Sequence, residues 1–145
     1  MITVRKLLPE DMDKAAELER VCFSRPWSKR ELSASACHPC AVYLAALDGG
    51  EVIGYAGMYV AADAAEINNI AVFPEYRRRG AATALINGLV DACKERGVKK
   101  LSLDVRESNT AALCLYKKNG FFRVGKRRGY YTAPKEDAVL LDKDI

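Results

Sequence analysis

Apolar and polar positions change rhythm several times along the 145 residues, and each change marks an element. Residues 2–7 read as a short strand. Pro9 then opens a helix, with Glu10, Asp11 and Asp13 set against the positive end of its dipole. Ala15, Leu18, Glu19 and Cys22 continue at helical spacing. Pro26-Trp27-Ser28 breaks the pattern, and Ser28 with Glu31 three residues later forms a capping box for a second, short helix. Pro39 ends that helix. Three strand-like runs follow at 41–47, 51–60 and 65–73. Asp48-Gly49-Gly50 and Ala61-Ala62-Asp63 separate them, and Pro74 stops the last. Connections this short predict an antiparallel meander.

From Ala82 the period lengthens, with apolar residues at 82, 85, 86, 89 and 93 on one helical face and Gly97 as the stop. Residues 100–106 alternate, Leu101, Leu103 and Val105 on one side against Ser102, Asp104 and Arg106 on the other. Ser108-Asn109 caps a further helix that ends at Asn119-Gly120. Residues 121–126 and 137–142 read as closing strands, joined by a long loop through Tyr130, Tyr131 and Pro134. The order β-α-α-β-β-β-α-β-α-β-β predicts an α/β (α+β) fold, a mixed and mostly antiparallel sheet with helices on both faces. The length suits one domain over 1–145.

Composition narrows the function more than the fold. No apolar run approaches the ~20 residues that span a bilayer, and the first residues lack the apolar stretch of a signal peptide. A cytoplasmic location, with no membrane partner, is expected. Cys37-His38-Pro39-Cys40 has C-x-x-C spacing, but no second cysteine pair follows to complete a four-ligand zinc site. No metal is expected. His38 is the only histidine, which disfavours a histidine-dependent nucleophile. The net charge of +4 is modest, yet Arg77, Arg78 and Arg79 form one basic cluster, and Lys117, Lys118, Arg123, Lys126, Arg127 and Arg128 another. Such clusters suit a phosphorylated ligand, a nucleic acid or an acidic surface.

The first cluster has the sharper context. A strand ends at Val72–Phe73, a basic loop follows, and a helix starts on small residues. Helix N-termini expose unpaired N–H groups and partial positive charge, so they bind phosphate. Gly80 allows close backbone approach, and Ala81 and Ala82 keep side chains clear. A pyrophosphate fits this pattern, although a plain turn with solvated arginines fits it too. The G-x-G-x-x-G and Gly-Lys-Ser/Thr signatures are absent.

The stretch Asn69-Ile70-Ala71-Val72-Phe73-Pro74-Glu75-Tyr76-Arg77-Arg78-Arg79-Gly80-Ala81-Ala82 resembles the core of the GNAT acetyltransferase superfamily. Its cofactor motif, Arg/Gln-x-x-Gly-x-Gly/Ala, is matched by Arg77, Gly80 and Ala82. Pro26-Trp27-Ser28, Leu103-Asp104-Val105-Arg106, Ser108-Asn109, Leu115-Tyr116, Asn119-Gly120-Phe121, Arg127-Arg128 and Tyr130-Tyr131 extend the resemblance over the chain. They point to the branch that acetylates the N-terminal alanine of a bacterial ribosomal protein. The resemblance implies acetyl-CoA as co-substrate and a protein N-terminus, of a ribosomal protein, as partner, without direct nucleic-acid binding. It implies that Ile70, Ala71 and Val72 line the acetyl-pantetheine arm, with Val72 N–H on the thioester carbonyl. Backbone N–H groups of Arg78, Arg79, Gly80, Ala81, Ala82 and Thr83 would hold the pyrophosphate, and Asn109 the arm.

Tyr116 matches the family's general acid; its plain alternative is a core tyrosine with a wet hydroxyl. Asp104 stands where the resembling branch carries a glutamate, as general base, and its shorter side chain invites a water relay. The alternative is a surface ion pair with Arg106 or a lysine. Glu66, expected on one face with Asn68, Ile70 and Val72, is the rival base. Arg128, Tyr130 and Tyr131 would form the peptide-binding side. Acetylation of lysines or small amines, and an acyl-CoA-binding module without catalysis, are the competing functions.

Overall fold

The computed structural model describes residues 1–145. It contains strands β1 (Ile2–Lys6), β2 (Ala41–Asp48), β3 (Glu51–Ala61), β4 (Ala64–Val72), β5 (Lys100–Arg106), β6 (Phe122–Thr132) and β7 (Lys135–Asp144). Its helices are α1 (Met12–Cys22), α2 (Lys29–Ala36), α3 (Ala81–Glu95) and α4 (Thr110–Lys118), with 3-10 turns at Pro9–Asp11 and Pro74–Tyr76. The strands form one sheet in the order β1-β2-β3-β4-β5-β7-β6. Only the β4–β5 pair is parallel.

Local signals account for the boundaries. Gly49 and Gly50 both hold positive φ, 58° and 85°, the path of a tight hairpin turn between β2 and β3. At α2, Ser28 Oγ accepts the Glu31 N–H and the Glu31 carboxylate accepts the Ser28 N–H, both at 3.1 Å. At the end of α3 the Val98 N–H returns 2.9 Å to the Cys93 carbonyl. Val98 and Cys93 are both buried, the apolar contact that accompanies this type of helix stop.

Two apolar layers sandwich the sheet. On one face Met12, Ala15 and Leu18 of α1 and Leu32 of α2 pack on Tyr43, Tyr55 and Ala71. On the other, Leu85, Ile86 and Leu89 of α3 pack on Ala56, Met58, Ile67 and Leu101, and Tyr116 of α4 joins them. Gly57 of β3 sits opposite Tyr43 in register. A Cβ at this position would come within 2.5 Å of the Tyr43 ring, which is itself stacked on Tyr55. Gly57→Ala should therefore destabilise the fold by about 1–3 kcal/mol, the usual cost of overpacking, seen as a lower thermal midpoint.

Two elements differ from the sequence expectation. The stretch after Lys126 is not a long loop: β6 runs to Thr132 and turns directly into β7. Its register slips between Arg127 and Tyr131, where Gly129 takes φ 61° and donates its N–H to Asp137 Oδ1 at 2.8 Å. This bulge interrupts the alternation that would have revealed a strand. In β4, Gly57 pairs with Asn69 and Met58 with Ile67, so Asn68 is an extra residue. The bulge reverses side-chain parity. Ile67, Ile70 and Val72 pack with the α3 layer, whereas Ala71 packs with the α1 layer. Glu66 accordingly lies on the face opposite Ile70 and Val72.

Candidate active site

The parallel pairing of β4 with β5 covers only Ala64–Lys100, Ala65–Leu101 and Glu66–Ser102. Beyond it the strands part, and the bulge at Asn68 lies where they do. A fork between parallel strands, at their carboxyl ends, is where open α/β sheets bind ligands. The exposed edge of β4 supplies the first polar groups. Phe73 N–H donates to the Ile53 carbonyl at 3.0 Å, towards β3. Alternation then turns the N–H and C=O groups of Ile70 and Val72 to the free side. The Val72 carbonyl accepts from Arg77 Nε at 3.2 Å and from the Cys22 thiol at 3.5 Å. No such partner engages the Val72 N–H.

Past β4 the chain makes the 3-10 turn and a compact basic loop. Arg78 (φ 64°) and Gly80 (φ 85°) both adopt the left-handed region. The Ala84 N–H bonds to the Gly80 carbonyl at 2.9 Å, and the preceding N–H groups, Arg78 to Thr83, have no acceptor in the chain. Converging N–H groups of this kind, at the positive end of a helix, form an anion-binding hollow. The three arginines divide the work. Arg77 braces the loop against Val72 and Cys22, Arg79 lies 5.4 Å from the Tyr76 ring, and Arg78 is exposed. Asn109 caps α4, accepting the Ala112 N–H at 3.2 Å. Asn119, at the other end of α4, reaches Thr83 Oγ1 of α3 at 3.4 Å.

On the α1–α2 face of the fork is a cavity of about 240 Å³. Glu66 and Asp104 enter it from β4 and β5, Tyr130 and Tyr131 from the β6 bulge. Trp27, Ile67, Asn68 and Asn69 complete it. Asp104 is mostly buried, its carboxylate 3.9 Å from the Arg127 guanidinium, which also packs over Tyr130. Arg106 is not its partner: it pairs with Glu136 at 3.3 Å, bonds the Ala133 and Pro134 carbonyls, and stacks 4.3 Å from the Tyr131 ring. Arg128 does not line the cavity; its charge acts on Asp137 instead. A larger apolar depression of about 390 Å³, bounded by Leu113, Phe122 and Val139, contains none of these groups.

Tyr116 is buried, its ring edge-on to Phe121 at 5.5 Å. Burial, and to a lesser degree Tyr131, push its hydroxyl up to about 12. Tyr131 is likewise held at about 12, by burial first and then by the negative charge of Asp104. Both phenols therefore keep their protons at neutral pH, as donors.

Glu19 is the group that spacing missed. It is 1% exposed and lies against the cavity wall. Its Oε1 accepts the Trp27 N–H at 2.8 Å, and its Oε2 accepts the Tyr55 hydroxyl and, at 3.2 Å, Asn69 Nδ2. Asn69 Nδ2 also donates to the Tyr55 oxygen at 3.0 Å. Burial pushes the Glu19 carboxyl up, against the Trp27 and Tyr55 bonds that favour its charged form. The signal was an acidic residue within the apolar stripe of α1.

Fold and fork together define a class, and the acetyltransferase (GNAT) family model matches residues 12–121. The chain belongs to the GNAT acetyltransferase family. Its relatives are more particular. It is 40% identical to a candidate [ribosomal protein bS18]-alanine N-acetyltransferase of Bacillus subtilis, over 95% of this chain and 92% of that one. It is 35% identical to the N-alpha-acetyltransferase RimI of Mycobacterium tuberculosis, covering 99% and 92%. The crystal structure of the ribosomal-protein-S18-alanine N-acetyltransferase from Escherichia coli superposes with a TM-score of 0.91 at 34% identity, over 100% of this chain and 94% of that chain.

Proposed function

We propose that this chain, as a single domain over 1–145, transfers an acetyl group from acetyl-CoA to the N-terminal α-amine of a protein, an N-terminal alanine of a ribosomal protein. The observation that carries the reading is the fork. The free edge at Ile70 and Val72 lies between a row of unpaired N–H groups and a cavity holding two carboxylates. The named activity of the relatives supports the choice of acceptor.

Acetyl-CoA supplies the activated acetyl group as a thioester. The N–H groups of Arg78 to Thr83 fit its pyrophosphate, a doubly charged anion that needs several donors at once. Ile70, Ala71 and Val72 hold the pantetheine arm along the free edge, with Asn109 opposite, and the Val72 N–H polarises the carbonyl to be attacked. Asp104 takes the ammonium proton, directly or through one water. The amine adds to the polarised carbonyl carbon, and the C–S bond breaks as the oxyanion collapses. The nitrogen gives up its second proton to solvent, and the thiolate leaves against the Tyr116 hydroxyl, which directs its hydrogen at the sulfur. Tyr130 and Tyr131 flank the incoming peptide. An α-amine, with an ordinary pKa near ~8 against ~10.4 for lysine, asks less of a short carboxylate.

Peptides beginning with alanine and containing an internal lysine, incubated with acetyl-CoA and fragmented by mass spectrometry, separate the possibilities. The expected product carries acetyl on the α-amine only. Acetyl on lysine alone would assign the second function, and acetyl-CoA binding without CoA release on any amine would assign a binding module.

A further inference from the structure

The transfer chemistry leaves two buried carboxylates unused: Asp11, which is paired with Arg5 at 2.6 Å, and Glu19. Glu19 is on α1 rather than on a strand of the fork, and no cation forms a salt bridge with it. A buried ionisable group without a counter-charge is costly unless several hydrogen bonds satisfy it. Here the donors come from three separate segments. Trp27 N–H belongs to the α1–α2 connection, Tyr55 to β3, and Asn69 to β4 just past the bulge. Trp27 and Asn69 are themselves cavity walls, and Tyr55 ties Asn69 to Glu19 a second time.

We propose that Glu19 is a positioning residue of the acceptor pocket: its carboxylate fixes the Trp27 connection against Asn69 and so sets the width of the cavity that receives the amine. An apolar residue would fill the same volume within α1 but would leave three donors free to move. Trp27 is then held by its backbone, the one part of a connecting segment that packing of the indole does not fix. The cofactor loop has no member in this network, so the effect falls on the acceptor.

The inference rests on the cavity being the acceptor site, and its test has a readout independent of that reading. Trp27 is the only tryptophan, so its fluorescence reports this wall alone. Glu19→Ala should shift the emission to longer wavelength and increase quenching by acrylamide. It should raise KM for an alanine-starting peptide at least ~10-fold, as expected for misplaced positioning groups, and leave acetyl-CoA affinity within about twofold. Glu19→Gln keeps an acceptor for Trp27 but not for both other donors, and should fall between Ala and wild type. If Glu19→Ala does not fold, Glu19→Gln and Tyr55→Phe carry the same measurements. Leu89→Ala, a cavity on the opposite face, is the control for lost stability and should move neither emission nor KM. Unchanged Trp27 emission overturns the proposal. So does a parallel loss of peptide and acetyl-CoA binding, or the same effects in Leu89→Ala. A wild-type chain that acetylates no peptide counts against the acceptor reading, while the emission data still decide whether Glu19 holds the wall.

Discussion

Tyr116→Phe is expected to lower kcat by ~10²–10³-fold, the range for losing one donor to a developing negative charge, with KM for both substrates nearly unchanged. The ring does its packing without the hydroxyl. Its edge-on contact with Phe121 and its place in the α3–α4 layer survive in phenylalanine. The hydroxyl is not engaged by another side chain, so removing it strands no buried partner. Stability should change little, which separates this prediction from a core tyrosine's. The direction of the pKa also limits what the hydroxyl does. Held at about 12 by burial and Tyr131, it keeps its proton throughout the neutral range. An ordinary thiol ionises near ~8.5, so a free thiolate would not strip the phenol completely. In the proposed mechanism Tyr116 then acts mainly by a hydrogen bond that strengthens as charge gathers on sulfur. The loss in Tyr116→Phe should therefore be independent of pH between about 6 and 9. Steady-state kinetics across that range check it, and a variant that retains kcat within threefold would remove Tyr116 from the chemistry.

Much of this arrangement was legible because each boundary carries a local cause. Ser28 and Glu31 cap one helix, Asn109 another, Gly97 stops a third, and Gly49-Gly50 turn a hairpin. What was hidden depends on pairing. The run from Arg127 to Tyr131 lacks alternation because the bulge at Gly129 breaks it, and only β7 makes it a strand. The same bulge exchanges the expected roles of neighbouring arginines: Arg127 meets Asp104 while Arg128 turns to Asp137. The parity of β4 is hidden for a related reason. With Asn68 and Asn69 adjacent, no apolar residue marks where the alternation slips, and a regular period puts Glu66 on the face of Ile70. The order of elements and the turn into α3 need no such pairing, since Gly80 and the small residues after it fix the backbone locally. Glu19 was visible as a residue but not as a site, because its partners come from β3, β4 and the α1–α2 connection.

The bulge at Asn68 has a kinetic consequence, because it brings both carboxylates to one face. Asp104→Asn is expected to reduce kcat/KM by ~10²–10³-fold, and Glu66→Gln by less than about fivefold, the former being the scale of a lost general base. Glu66 sits where β4 and β5 are still paired, opposite Ser102, and is exposed. Asp104 lies beyond the fork, is mostly buried, and stands beside the Tyr131 hydroxyl that also acts on Tyr116. Its pairing with Arg127 at 3.9 Å is long for a charge-assisted bond, so an arriving ammonium can displace the guanidinium. Asparagine keeps the shape and removes only the capacity to take a proton. Asp104→Glu adds the methylene that direct contact would need. A relay through water predicts that the longer side chain displaces the water and gains little. Direct contact predicts a rise in kcat. Rates for the three variants on one alanine-starting peptide decide the order, and a larger loss in Glu66→Gln than in Asp104→Asn would transfer the base to β4. That result would also require the amine to enter over the paired part of β4 and β5, where Glu66 lies opposite Ser102.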